Sequence, residues 1–157
     1  MPAVFQIVSR SSGNALARSV PEGDYAQTGT PYIMQAAQDE QDPTQMWVLT
    51  PQDSSQDFLI QPFGSPGLAM GVLNPLSETE YPNDWVILPT ATQGQVWRIS
   101  RRLANPPYFF LLEANNDLLM EAATVDDSVP ITIASRTEHN NQQWTFLPVF
   151  AQLGKEG

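Results

Sequence analysis

The chain has 157 residues, enough for one domain with a sizeable core, and 41% of them are apolar. Seventeen acidic against 7 basic residues give a formal charge of −10, a field that repels phosphate backbones and anionic lipid and so disfavours nucleic-acid and membrane-surface partners. There is no cysteine, which excludes disulfides and thiolate-bound metal and leaves packing alone to hold the fold.

Prolines and glycines are spread along the chain, and no stretch keeps helical apolar spacing for three turns, so an all-β protein with minor helix is expected. In chain order, strands are expected at 4–8, 15–18, 46–49, 58–60, 68–71, 86–88, 96–99, 108–112, 118–121, 131–133 and 144–147. Met1 to Phe5 carries no basic segment leading into an apolar one, and nowhere do 18 apolar residues run together. The expectation is therefore a cytoplasmic or non-classically secreted protein without membrane insertion.

The organising signal is a repeat. Gln45-Met46-Trp47, Gln95-Val96-Trp97 and Gln142-Gln143-Trp144 are three Gln-x-Trp triplets, 50 and 47 residues apart, and they take three of the four tryptophans. Each is followed by a similar strand. Upstream, each copy opens on an aromatic (Phe5, Phe58, Tyr108), turns through small residues, and reaches a four-residue strand ten positions on (Ala15, Leu68, Leu118). Residues 1–150 are thus expected to form one domain, with copies at about 4–50, 57–100 and 107–149, and 151–157 to form a tail.

Residues two apart on a strand face the same way, so the glutamine and tryptophan of each triplet turn inward together. Three equivalent indoles can form one core layer, each removing roughly 200 Å² from water. The glutamine amide can tie off backbone groups where the preceding loop enters the strand, which an apolar side chain could not do.

The triplets, their spacing and the Gly29-Thr30-Pro31 segment ahead of the first third strand resemble the ricin-B-type (R-type) lectins. That resemblance implies a β-trefoil of three pseudo-symmetric four-strand repeats and carbohydrate binding in shallow repeat pockets. Lacking cysteine, the chain looks more like the cytosolic lectins of fungi and some bacteria than like the secreted plant toxins. The family pattern implies an acidic residue after the second strand to accept from vicinal hydroxyls, an aromatic on the third strand to stack on the sugar, and an asparagine just before the triplet.

At the acidic position the copies carry Arg18, Gly71 and Glu121, and before the glutamine Thr44, Gly94 and Asn141. The third copy keeps both polar elements, so the carbohydrate site is placed at Glu121, Asn141 and Gln142, with Asp117 as the acid if the turn is registered differently. Its third strand has no ring at 131–134, and His139 is the flat group that could serve instead. In the first copy Tyr32 and Gln35 flank the third strand, and Arg18 in place of a carboxylate would favour an acidic sugar. The second copy, with two glycines, reads as silent; Trp85 reads as core or inter-strand packing.

No catalytic set emerges. His139 is the single histidine, no cysteine nucleophile exists, and no phosphate loop or metal-ligand spacing appears, so neither enzyme activity, metal nor cofactor is expected. Asp126 and Asp127 read as turn formers, and the Asp39 to Asp42 loop lacks the glycine and distal glutamate of a calcium loop. The rival reading is a protein-binding trefoil, such as a protease inhibitor acting through long loops at 20–28 and 76–84. Expected partners are glycans or glycoconjugates, and a homodimer would supply avidity to a weak single pocket.

Overall fold

A computed structural model describes residues 3–18, 32–72, 86–102, 108–115, 118–122 and 131–149. Asp117, Trp85 and the two long loops of the protease-inhibitor reading lie outside these. Within them the protein is all-β, with three short 3-10 turns at Pro43–Gln45, Ala91–Gln93 and Asn140–Gln142. No helix among the described residues is long and apolar enough to cross a membrane.

Among the described residues twelve strands follow one another: β1 (Phe5–Ser9), β2 (Ala15–Arg18), β3 (Ile33–Ala36), β4 (Trp47–Pro51), β5 (Asp57–Pro62), β6 (Gly71–Val72), β7 (Val86–Ile87), β8 (Trp97–Arg101), β9 (Phe110–Asn115), β10 (Leu118–Glu121), β11 (Thr132–Ser135) and β12 (Trp144–Pro148). Six of them close a barrel, because β1 pairs with β4, β4 with β5, β5 with β8, β8 with β9, β9 with β12, and β12 back with β1. Closure removes the free edges that would otherwise need covering. The other six form the hairpins β2–β3, β6–β7 and β10–β11.

Each triplet tryptophan opens a barrel strand and faces an aromatic across the ladder: Phe5 opposite Trp47, Phe58 opposite Trp97, Phe110 opposite Trp144. All three indoles are 0% exposed and share one core cluster with Ile7, Ile60, Leu112 and Met120. Their ring N–H groups donate to Leu16 O (3.0 Å), Met70 O (3.3 Å) and Met120 O (3.2 Å), so all three of these buried indole donors have a partner. The hairpins meet beyond this layer, where Ile131 N donates to Ile33 O (2.7 Å), Val86 N to Ile131 O (2.8 Å), and Tyr32 bridges Ile87.

Two local expectations shift. Phe110, not Tyr108, takes the place of Phe5 and Phe58, since it pairs with Trp144 as they pair with Trp47 and Trp97, and the β9–β10 hairpin slips register between Leu118 and Leu119. The strand expected at 68–71 is reduced to Gly71–Val72 with an isolated bridge from Leu68 to Thr90. There the Gln61 amide takes the carbonyls of Pro66 (2.8 Å) and Leu68 (3.2 Å), satisfying backbone groups that a longer ladder would have used.

Candidate functional site

Gln45 and Gln142 end their 3-10 turns, where chain direction changes and backbone groups would otherwise be orphaned, while Gln95 lies two residues past the end of its turn. Gln142, 0% exposed, uses its whole amide. Its Oε1 accepts from Thr137 N (2.8 Å) and Glu138 N (2.9 Å), while Nε2 donates to Ser135 O (2.9 Å) and Glu121 Oε1 (3.0 Å). Gln45 behaves alike, accepting from Asp39 N (2.9 Å) and Gln6 Nε2 (3.1 Å) and donating to Ala37 O (2.9 Å) and Asp42 Oδ2 (3.4 Å). Gln95 departs from this: half-buried, it donates to Val96 O (3.0 Å) and Ala114 O (2.8 Å).

Gly94 comes just before Gln95 in the chain. A Cβ there would lie 2.7 Å from Ala69 Cβ and 3.2 Å from Ala91 O, so that turn packs against the neighbouring hairpin too closely for any side chain.

The structure brings Glu121, Asn141 and Gln142 together. Glu121 ends β10, half-buried, and one carboxylate oxygen is held by Gln142. The turn is fastened to β10 by Ala122 N donating to Asn141 O (2.8 Å), and Asn141 is half-buried beside it. Gln142 itself is inaccessible and serves to position Glu121. His139 is exposed at the start of the turn, two residues from Asn141, and its carbonyl accepts from Gln142 N (2.8 Å).

The first-copy residues fare differently. The indole acceptors align Leu16, Met70 and Met120, so the residue matching Gly71 and Glu121 is Ala17, and Arg18 lies one further along. Arg18 reaches across to Ser65 Oγ (3.3 Å). Gln35 is 1% exposed and its Oε1 accepts from Ser12 Oγ (2.7 Å), so it faces the interior and is not placed to touch a ligand. Tyr32 is half-buried beside the meeting point of the hairpins, and the structure does not join it to Arg18 and Gln35 as one polar pocket.

A chain of charges fixes the loop ahead of the third triplet, and nothing in the sequence pattern marked it. Arg102 and Arg136 both bind Glu138 (2.9 and 2.8 Å), and Arg136 also binds Glu113 (3.1 Å). Glu138 adopts a left-handed backbone, φ 62°, and its carboxyl is held below the usual range chiefly by the Arg136 hydrogen bond. Gln143, between Gln142 and Trp144, donates to Glu138 O (2.8 Å) and accepts from Arg10 Nη1 (2.6 Å), tying the same loop to β1.

Two cavities lie elsewhere. One of about 260 Å³ on the barrel wall is lined by Asp57, Val96, Arg98, Glu113 and Ala114. The other, about 550 Å³, is largely apolar and opens at one end of the barrel. Neither is lined by Glu121 or Asn141. Among the described residues no group of three or more potential metal ligands is gathered.

No family model matches the chain, and no curated protein sequence does. Solved structures do. The chain is similar to the Rhizoctonia solani agglutinin (15% identity, TM-score 0.69, covering 94% of this chain and 96% of that one) and to the BEL β-trefoil (12%, 0.65, 93% and 92%). It is also similar to an exo-β-1,3-galactanase from Clostridium thermocellum (21%, 0.71), covering 93% of this chain but 30% of the enzyme. At such identities the likeness shows the fold, and a closed six-strand barrel with added hairpins is consistent with a β-trefoil.

Proposed function

We propose that the protein is a carbohydrate-binding β-trefoil of the R-type, with three repeats of which the third keeps a working pocket. The observation that carries the reading is the junction of β10 with the third turn. Gln142 anchors one oxygen of Glu121, and Ala122 N donates to the backbone carbonyl of Asn141, so a half-buried carboxylate and a half-buried asparagine meet at one junction, residue types suited to vicinal hydroxyls. His139 stands exposed at its edge in place of the missing ring. The similar agglutinin and galactanase are both carbohydrate-directed by name, which supports a glycan as partner. Since the match spans only 30% of the galactanase, we read the chain as a binding module without a reaction of its own.

A glycan array on the whole chain tests this. Asn141→Ala abolishes the glycan signals with an unchanged melting curve, Glu121→Ala abolishes them with a melting curve lowered only by the one hydrogen bond that Gln142 loses, and His139→Ala weakens them. Glycan binding intact in both of the first two variants would remove the site; capture of proteases and no glycan would favour the rival trefoil function. One shallow pocket per chain calls for pairing of two chains to reach useful avidity, a state that light scattering reads directly.

A further inference from the structure

β1, β5 and β9 begin at one end of the barrel and run away from it into the hairpins, and among the described residues the end they leave is open. Around it stand Phe5, Phe58 and Phe110, each opposite a tryptophan, with Leu49, Ile99 and Phe146, each two residues past one. The rings touch: Phe146 packs edge-on against Phe5 at 5.9 Å and tilted against Phe110 at 5.1 Å. Yet these side chains leave about 550 Å³ unfilled. Protein interiors pack densely and hold few voids larger than a water, whereas apolar chambers of roughly 300–1,000 Å³ are the usual form of small-molecule sites.

The rim carries polar groups. Ser55 lies exposed there, Thr145 Oγ1 donates to Tyr108 O (3.1 Å), and the Tyr108 ring, 37% exposed, carries the Arg101 guanidinium 4.7 Å above its centre. Arg98, Arg102 and Arg136 each hold a carboxylate, but among the described residues none pairs with Arg101. In a chain of net charge −10 that is a conspicuous place for an unneutralised cation.

We infer that the open end of the barrel is a second binding site, for an amphiphile whose apolar body enters among Phe5, Phe58, Phe110 and Phe146 and whose carboxylate head meets Arg101 at the Tyr108 rim. The phenyl walls bury the tail, and the guanidinium, already spread on an aromatic face, offers its remaining donors to the head. The site lies at the far end of the barrel from the hairpins and from Glu121, and it stands whether or not the protein binds glycans.

Titration calorimetry of the whole chain with decanoate below its micelle concentration gives a saturable one-to-one isotherm, and decanol, which lacks the charge, binds as well. Arg101→Gln weakens decanoate by about threefold and leaves decanol unchanged, the size expected of an exposed ion pair. Ser55→Trp, which plugs the rim from a loop, abolishes both while the melting curve stays put; Leu49→Phe, filling the chamber from β4, does the same. No saturable heat overturns the inference, as does binding indifferent to both plugs. Binding that emerges only when residues 150–157 are removed also overturns it, since the chain's own end would then be the occupant.

Discussion

Replacing Gln142 by leucine separates the structural work of the triplet glutamines from that of any other buried side chain. The amide makes four hydrogen bonds of 2.8 to 3.0 Å at a site with no solvent exposure, and leucine leaves two backbone donors, one carbonyl and one carboxylate oxygen to find partners elsewhere. At about 1 kcal/mol for each partly buried group, the loss is roughly 3–4 kcal/mol. Gln95→Leu removes two bonds, one of them to the exposed carbonyl next in the chain, and should cost about 1 kcal/mol. In urea, with a slope of about 2 kcal/mol per M, the midpoints fall by roughly 1.5–2 M and about 0.5 M respectively. Equal falls for the two variants would refute the argument that it is the saturated amide, and not the triplet as such, that stabilises the turn. The loss of Gln142 also frees Glu121, so glycan binding should disappear under conditions where the variant is still folded.

Gly94→Ala places a methyl 2.7 Å from Ala69 Cβ and against the Ala91 carbonyl, so it should destabilise by about 1–3 kcal/mol, although its φ of −72° suits any residue; a thermal melt unchanged from the parent would contradict that close approach. Glu138 has its folded pKa depressed, so it adds stability above its usual value of 4.5 and loses it as pH falls through the lowered value. The stability gap between the parent and Glu138→Gln should therefore close under acid, and should shrink in high salt because the group is exposed. A gap independent of pH would assign the effect to the left-handed backbone instead.

How much was legible depends on the range of the forces involved. The three Trp positions could be read from spacing, because burying an indole on a two-residue alternation is a local demand that leaves a local mark. The partner of each indole N–H could not, since Leu16, Met70 and Met120 become acceptors only when the hairpins fold over the barrel. Arg18 was matched to Glu121 by counting from the leading aromatic, and a hairpin slip at Leu118/Leu119 defeats counting of that kind. Gln35 looked like a surface ligand beside Tyr32, but strand alternation in β3 turns it inward to Ser12.

From sequence alone came an all-β chain, three evenly spaced Gln-x-Trp triplets and their three buried tryptophans, because turn chemistry and side-chain alternation act within a few residues. The closure of six strands into a barrel, the Arg102–Glu138–Arg136–Glu113 chain and the apolar chamber at the barrel's end were decided by tertiary structure. They join residues such as Arg102 and Glu138, or Phe5 and Phe146, whose separation along the chain carries no pattern; only the energetics of packing and charge in three dimensions brings them into contact.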